Sequence, residues 1–285
     1  AVTQLNELLH DAVRLRMVSD VPVGAFLSGG VDSSLVVALM SRQMARPVTT
    51  FSIGFAEATY NELPYARQVA KHLGTDHHEL IVEPQDCEVI ERLAMHFDEP
   101  FGDPSAIPMY FLCGLAARHV KVVLSGDGGD ELFAGYERYP IELQRHAVDC
   151  LPLVLKRACG WVSDQLWEGA TGKRYLHNLS LESRGRYMDS VTYTNTALLH
   201  HLLDPHVGHQ LASFHGDDQL SRHFPEVAGQ PWLAQLQYVD GRCYLPADVM
   251  TKVDRMRMAH SLEAREPLLD HVLAEFAVRL PVGLR

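Results

Sequence analysis

Two short glycine-rich stretches contain most of the residues in this chain that could do chemistry. Residues 28–34 read Ser-Gly-Gly-Val-Asp-Ser-Ser, and residues 125–131 read Ser-Gly-Asp-Gly-Gly-Asp-Glu. Each stretch follows an apolar run and precedes a helical pattern, which is typical of a strand, a tight turn and a helix. At such a junction the glycines permit the turn, and the first N–H groups of the helix face outward. We therefore expect an anion such as a phosphate to bind at the first stretch.

The carboxylates in these stretches indicate a cation. Asp32 beside a phosphate would be repelled unless a cation lay between them, so we interpret Asp32 as a magnesium ligand. Ligands bind along one edge of an open parallel sheet, where the two stretches would face each other. Asp130 could then join the same cation, because magnesium is often held by one or two carboxylates plus substrate phosphates. Asp127 would remain for acid–base or electrostatic work.

The elements that must position these residues alternate between strands and helices. Strands are predicted over 21–27, 48–55, 78–82 and 120–124, and helices over 3–18, 35–40, 64–73, 85–96 and 105–119. This alternation indicates an α/β fold with parallel strands joined by right-handed crossovers. After about Tyr139 we find no convincing strand. We therefore predict a nucleotide-binding α/β half over 1–139 and a helical half over 140–285 that packs directly against the sheet.

Composition excludes several classes of protein. Of 285 residues, 47% are apolar and 21% charged, which is ordinary for a globular enzyme, and no run approaches the roughly 20 apolar residues of a membrane span. The chain shows no signal peptide, so we expect a cytoplasmic protein without a membrane partner. The net charge of −11, with no basic block, argues against nucleic acid. Five cysteines without a CxxC pair indicate neither disulfides nor a zinc site. We expect no metal role for the pairs His77-His78 and His200-His201, because adjacent side chains diverge.

Several stretches, in this order, resemble the synthetase domain of glutamine-hydrolysing asparagine synthetases. Residues 28–34 look like the pyrophosphate loop of ATP pyrophosphatases, and they lack the lysine of the GxxxxGK loop. The other stretches that carry the resemblance are 51–55, 98–100, 125–131, 245–255 and 261–270. The resemblance runs from about residue 2 to residue 280. It implies a parallel-sheet core of the adenine nucleotide alpha-hydrolase-like (ATP pyrophosphatase) kind with a helical C-terminal half.

The resemblance also implies roles for individual residues. The positions that match adenosine and ribose contacts are Leu27, Ile53, Ser125 and Gly126, and those of the pyrophosphate loop are Ser28, Gly29, Gly30, Ser33 and Ser34. Asp32 and Asp130 match the metal ligands. Asp127 matches a glutamate that is tied to formation of the β-aspartyl-adenylate, although its side chain is one methylene shorter.

The implied function is an ATP-dependent ligase that uses Mg²⁺. The side-chain carboxylate of aspartate would attack the α phosphorus of ATP and release pyrophosphate, and ammonia derived from glutamine would then displace AMP. In the family a separate glutaminase domain supplies that ammonia, and a basic segment follows the final helix; this chain contains neither. We therefore expect a piece that binds ATP with magnesium but turns over poorly, and the sequence leaves a homodimer open.

Other readings remain open at this point. A related enzyme could act on another carboxylate, on a sugar or a peptide, or use an internal amine as β-lactam synthetases do; a non-catalytic nucleotide-binding module is a further alternative. Lys252 and Arg255 share a helix face, where a ligand contact and an ion pair with Glu263 or Asp270 are equally supported. We retain Lys252, with Asp127, as a catalytic candidate. The acidic loop at 98–104 is more typical of a solvated loop than of a substrate contact, and Arg265 and Glu266 are expected to be structural.

Overall fold

The computed structural model describes residues 1–83, 88–167, 169–192, 202–210 and 218–284. The chain divides into two compact units. Unit 1 contains Ala1–Phe133 and Tyr244–Arg285, and unit 2 contains Ala134–Cys243. Across the described ranges, no helix has both the length and the apolar character that crossing a bilayer requires.

Unit 1 is built on a parallel sheet. Its strands are β1 (Val23–Phe26), β2 (Thr49–Phe55), β3 (Asp76–Val82), β4 (Val122–Leu124) and β5 (Glu263–Arg265). They lie in the order β3-β2-β1-β4-β5, and every neighbouring pair is parallel. The four predicted strands are confirmed. The prediction of no strand after Tyr139 is wrong, because β5 pairs with β4. At three residues, β5 is too short to show the alternation that marks a strand in a sequence.

The helices follow the chain between and around these strands. In the first part of unit 1 they are α1 (Val2–Arg16), α2 (Val31–Gln43), α3 (Leu63–Leu73), α4 (Ile90–Phe97), α5 (Ala106–Ala117) and α6 (Gly129–Phe133). In unit 2 they are α7 (Arg138–Arg145), α8 (Leu153–Gln165), α9 (Lys173–Ser180), α10 (Ser183–Val191), α11 (Pro205–Gln210), α12 (Asp218–Ser221) and α13 (Trp232–Arg242). Unit 1 then resumes with a π-helical turn (Leu245–Met250), α14 (Thr251–Met258) and α15 (His271–Arg279). Short 3₁₀ turns lie at Ala58–Tyr60, His146–Cys150, Phe224–Val227, Pro267–Leu269 and Val282–Leu284.

Both faces of the sheet are covered by apolar side chains. Val122 and Leu124 of β4 belong to one core, which also contains residues of α1, α2, α3 and α15. Val123, between them, belongs to the opposite core with residues of α4, α5 and α14. Successive strand residues point to opposite faces, so a parallel strand that is buried on both faces is apolar along most of its length. The predicted α/β class with a parallel sheet is confirmed.

The division of the chain differs from the predicted halves in one respect. Residues 244–285, which we grouped with the helical half, belong to the unit that contains the sheet. Val253 and Met256 of α14 and Ala264 of β5 are buried in one of the two sheet cores, which explains this placement. The helical part is therefore residues 134–243, where the described residues contain helices and no strand.

Two predictions fall partly on residues outside those that the structure describes. The helix predicted over 85–96 begins among residues outside them, and its described part is α4. His200 and His201 also lie outside them. In β3, the His77 ring nitrogen Nδ1 lies 2.9 Å from the hydroxyl of Thr50, and the His78 ring lies 4.0 Å from that of His119. The two side chains thus have separate partners, as expected for strand neighbours.

Candidate functional site

The first glycine stretch connects β1 to α2. Gly29 has a φ of +88°, a left-handed conformation that favours glycine. A Cβ atom at Gly29 would also lie 2.5 Å from the backbone nitrogen of Ala66 on α3. Glycine is thus required here both by backbone conformation and by close packing, which fixes the path of the loop above the end of β1.

Two serine hydroxyls hold this loop together. Ser28 Oγ and Ser33 Oγ lie 2.9 Å apart, the Ser28 amide donates to Ser33 Oγ at 3.2 Å, and the Gly30 amide donates to Ser28 Oγ at 3.1 Å. The Ser34 hydroxyl is buried and has no hydrogen-bond partner among the described residues. The loop therefore already carries the hydroxyl groups that an oxyanion needs, in a constrained arrangement.

The start of α2 completes this anion site. Gly30 is the N-cap, and the first helical hydrogen bond after it runs from the Ser34 amide to the Gly30 carbonyl at 3.1 Å. The N–H groups of the preceding helical residues, 31–33, therefore have no acceptor within the helix. They form the positive end of the helix dipole, which favours an anion at this position.

The second glycine stretch follows β4, which is the neighbour of β1 in the sheet, and it packs directly on the first. A Cβ atom at Gly126 would lie 2.7 Å from the backbone nitrogen of Ser33. A Cβ atom at Gly129 would lie 2.4 Å from Oδ2 of Asp32. Only hydrogen at these two positions leaves room for the first turn of α2. The two loops thus face each other, as the sequence predicted.

Three carboxylates gather where the loops meet. Burial raises the pKa of Asp32, and the nearby charges of Asp130 and Asp127 raise it further. Burial likewise raises the pKa of Asp127, and the charge of Asp130 adds to this effect, whereas the Lys252 ammonium opposes it. Mutual repulsion of this kind is relieved by a cation, so the donor set fits Mg²⁺ held jointly by carboxylates and substrate phosphates. Within the described ranges there is no group of three or more histidine, cysteine, aspartate or glutamate residues that would form an all-protein metal cage.

Lys252 approaches this cluster from α14. Its Nζ donates a hydrogen bond of 2.5 Å to Oδ2 of Asp103. One turn further along α14, Arg255 pairs with Asp98 at 2.9 Å. Both cations lie on one helix face, as predicted, but neither pairs with Glu263 or Asp270; those two carboxylates bind Arg265 and Arg16. The partners are instead provided by the acidic loop.

Of the residues that match adenosine and ribose contacts, Leu27 and Ser125 are buried, so their backbone atoms are the groups most available to a nucleotide. The Leu27 side chain is 1% exposed and belongs to one of the sheet cores, so it could contact a nucleotide only through its backbone. Ser125 is also buried, and its amide donates to the Arg265 carbonyl at 3.0 Å. Ile53 of β2 is partly exposed. Arg265 itself donates to the carbonyls of Arg16 and Val18, which agrees with the structural role expected for it.

Two residues of the site were not singled out from the sequence. Gly129 lies in the second glycine stretch, where the sequence pattern predicts no role for it, although its lack of a side chain leaves space for the Asp32 carboxylate. Asp248, on the π-helical turn, has a carboxyl that is hydrogen-bonded to Asp103. Its position four residues before Lys252 was the available signal, since residues four apart share a helix face.

Fold and site together define a class. The parallel sheet is covered on both faces, and two glycine loops meet at the carboxyl ends of the adjacent strands β1 and β4. This arrangement is typical of α/β proteins that bind a ligand at that edge of the sheet. The comparisons with known proteins make this specific. The family model described as asparagine synthase matches residues 4–285. The chain therefore belongs to the asparagine synthase family.

Individual relatives agree with this assignment. Asparagine synthetase [glutamine-hydrolyzing] 1 of Bacillus subtilis (strain 168) is 33% identical over 285 residues, which cover 100% of this chain and 44% of that protein. A putative asparagine synthetase [glutamine-hydrolyzing] of Mycobacterium bovis is 37% identical over 287 residues, which cover 99% of this chain and 43% of that protein. The chain thus spans less than half the length of these curated relatives.

Proposed function

We propose that this chain is the synthetase part of an ATP-dependent, amide-forming ligase that converts aspartate to asparagine. The observation that carries the proposal is the contact between the two glycine loops, which brings an anion site at the start of α2 against three carboxylates. Membership of the asparagine synthase family supports the same chemistry. The curated relatives are named as glutamine-hydrolysing asparagine synthetases, which supports aspartate as the acceptor.

In the first half-reaction, ATP lies with its β and γ phosphates on the Ser28 loop. The side-chain carboxylate of aspartate attacks the α phosphorus, the bond to the bridging oxygen breaks, and pyrophosphate leaves. The amides of residues 31–33 and the hydroxyls of Ser28 and Ser33 stabilise the negative charge on the leaving group. Mg²⁺, held by Asp32 and Asp130, would neutralise charge on the phosphates when bound.

In the second half-reaction, ammonia attacks the acyl carbon of the adenylate and AMP leaves. The attacking nitrogen must lose a proton. Asp127 is suited to accept it, because burial raises its pKa and makes the carboxylate a stronger base. Lys252, whose charge acts on Asp127, adds positive charge close to the reacting groups. We assign Asp127 and Lys252 the catalytic roles on this basis.

The source of ammonia belongs to the same proposal. The relatives carry the description glutamine-hydrolyzing and are more than twice as long as the matched region. We propose that a glutaminase domain of the longer protein supplies ammonia from glutamine. A cytoplasmic location and a homodimer stay predictions of the sequence.

Aspartate-dependent exchange of labelled pyrophosphate into ATP tests the proposal. The full-length protein is assayed with aspartate and with a panel of other carboxylic acids, alongside Asp127→Asn and, as a control on an exposed carboxylate, Asp98→Asn. Exchange with aspartate in the wild type, together with ammonia-dependent asparagine formation that Asp127→Asn reduces and Asp98→Asn retains, would support the proposal. Exchange only with another acid would assign a different acceptor, and absence of exchange with every acid would indicate a non-catalytic nucleotide-binding protein.

A further inference from the structure

Lys252 is held in place by groups that lie outside the glycine loops. Its side chain is 13% exposed, and that of its partner Asp103 is 17% exposed. The Nζ–Oδ2 distance of 2.5 Å is shorter than the roughly 2.7–2.9 Å that is usual for a charge-assisted hydrogen bond from nitrogen to oxygen. A lysine side chain is long and flexible, so this hydrogen bond to Asp103 removes much of the conformational freedom of Lys252.

Asp103 is itself fixed by the start of α5. Its Oδ1 accepts from the Ser105 amide at 2.9 Å, and its Oδ2 accepts from the Ser105 hydroxyl at 2.8 Å. Its carbonyl accepts from the Ala106 amide at 3.2 Å. Burial raises the pKa of Asp103, but the bonds from Lys252 and Ser105 outweigh it and hold the pKa below its usual value. Asp103 is therefore an ionised, immobile acceptor.

Asp248 adds a second carboxyl on the other side. It lies on the π-helical turn four residues before Lys252, and it is hydrogen-bonded to Asp103. Burial raises the pKa of Asp248, and the nearby charge of Asp103 raises it further. A π turn inside a helix is rare and frequently accompanies a functional site.

We infer that Asp103, which accepts a hydrogen bond from the Lys252 ammonium, is a positioning residue that holds this ammonium in place for the reaction. This inference deepens the proposed function and rests on it. Lys252 donates a hydrogen bond to Asp103 of the acidic loop, and its charge lowers the pKa of Asp127 in the second glycine loop. A small displacement of a group that acts on the transition state slows a reaction far more than it weakens binding.

The same helix provides the comparison pair. Arg255 and Asp98 are 2.9 Å apart, with side chains that are 42% and 71% exposed. This pair joins the same loop to the same face of α14, one turn away from Lys252. Exposed ion pairs contribute little, so loss of the Asp98 charge should leave the reaction unchanged.

Asp103→Asn and Asp98→Asn, made in the full-length protein, test the inference. Asp103→Asn keeps the shape and one acceptor but removes the charge. We expect it to lower kcat for ammonia-dependent asparagine formation about tenfold or more while the KM for ATP stays unchanged, and Asp98→Asn to match the wild type. In a Lys252→Gln background, Asp103→Asn should have no additional effect on kcat, because both changes remove one interaction. An equal loss in both backgrounds would show that Asp103 acts only through its hydrogen bonds with Ser105 before α5, which would overturn the inference.

A second measurement does not depend on activity. Lysines are acetylated with an N-hydroxysuccinimide ester, and the rate at Lys252 is followed by peptide mass spectrometry. Asp103→Asn should accelerate modification of Lys252 several-fold, and Asp98→Asn should not. An unchanged rate in Asp103→Asn would overturn the inference. If the wild type showed no exchange with aspartate, the proposed function would fail by itself, and this rate would still decide whether Asp103 positions Lys252.

Discussion

The two residues that shape the site most directly have no side chain. Gly126 lies against the Ser33 amide and the Asp32 backbone, and Gly129 lies against the Asp32 carboxylate. These contacts let the loop after β4 pack closely on the start of α2. Neither glycine has a positive φ, so the requirement is for space rather than for backbone conformation. The Asp32 carboxylate can therefore occupy its position only because Gly129 of the second glycine loop has no Cβ atom.

Gly129→Ala should weaken binding of ATP with magnesium. The added Cβ would lie 2.4 Å from Oδ2 and 2.5 Å from Cγ of Asp32, so the carboxylate must move. We expect at least about a tenfold rise in Kd by isothermal titration calorimetry, since a displaced ligand to a shared cation loses a charge-assisted contact of about 1.5–3 kcal/mol. Gly283→Ala, where the Cβ meets nothing within 4 Å, serves as the control. Equal affinities for the two variants would show that Asp32 does not contribute to binding.

Residue types and spacing were sufficient to predict the two glycine loops. They did not predict the ion-pair partners of the basic residues on α14. Asp32, Asp127 and Asp130 follow from glycine turns after apolar runs, which are local signals. The pairing of Lys252 with Asp103 spans 149 positions. The sequence left an ion pair of this helix face with Glu263 open, but Glu263 binds Arg265 instead. Ion-pair partners depend on which elements pack together, and nothing in the local pattern specifies that.

At the scale of elements, the first and last described helices of unit 1 are joined by one carboxylate. Asp270 caps α15 by accepting from the amides of Val272 at 2.9 Å and Leu273 at 3.4 Å. It also binds Arg16, at the end of α1, at 2.5 Å. Burial raises the pKa of Asp270, but Arg16 and the two amides outweigh it, so the pKa lies below its usual value.

Asp270→Asn should reduce stability in a pH-dependent way. Asparagine can still cap the helix but loses the charge that Arg16 binds. A carboxyl whose folded pKa is depressed stabilises the fold above its unfolded pKa of about 3.9, and this contribution disappears as the pH falls through the folded value. Urea unfolding should therefore show a difference of about 1 kcal/mol from the wild type at pH 7 and a vanishing difference toward pH 2–3.

The exposed pair of Asp11 and Arg14 provides the control for this change. Its side chains are 65% and 58% exposed, so Asp11→Asn should leave the free energy of unfolding nearly unchanged at every pH. A difference between the wild type and Asp270→Asn that stayed constant down to pH 2 would show that shape, and not charge, is responsible.

The elements that the sequence predicted well are those with long apolar patterns. β2 and α3 agree with their predictions to within one residue, and Gly74 ends α3 with a φ of +65°, as its glycine indicated. The sequence did not predict β5, because only Ala264 of its three residues is buried. It becomes a strand by pairing with β4, and a tertiary contact of that kind leaves no local signal.

At the scale of the whole molecule, unit 2 is organised around a buried carboxylate. Asp240 is fully buried; it accepts from the Tyr139 hydroxyl at 2.6 Å, from Arg138 at 2.8 Å and from the Tyr187 hydroxyl. Burial raises the pKa of Tyr187, and the Asp240 charge raises it further, so the phenol stays protonated and donates. A buried charge is tolerated when its hydrogen bonds are complete.

Tyr187→Phe should therefore destabilise unit 2. It removes a hydrogen bond to a buried charge, which is worth about 1.5–3 kcal/mol. Hydrogen exchange followed by mass spectrometry should report faster exchange in peptides from 134–243, with β1 and β4 of unit 1 unchanged. Tyr238→Phe is the matched control, because its hydroxyl binds the exposed Glu226 at 2.5 Å and its loss should have little effect. Faster exchange in β1 and β4 as well would show that the two units unfold together.

The late position of β5 in the chain affects how the protein is made. β4 is complete at Leu124, but its neighbour β5 begins only at Glu263, after all of residues 134–243. The ribosome adds roughly 5–20 residues per second, so one edge of β4 remains unpaired for several seconds or longer before β5 is synthesised. Unpaired strand edges readily bind other strands. Newly synthesised chains therefore pass through an interval in which the sheet has four of its five strands, and we expect aggregation to compete with folding during that interval.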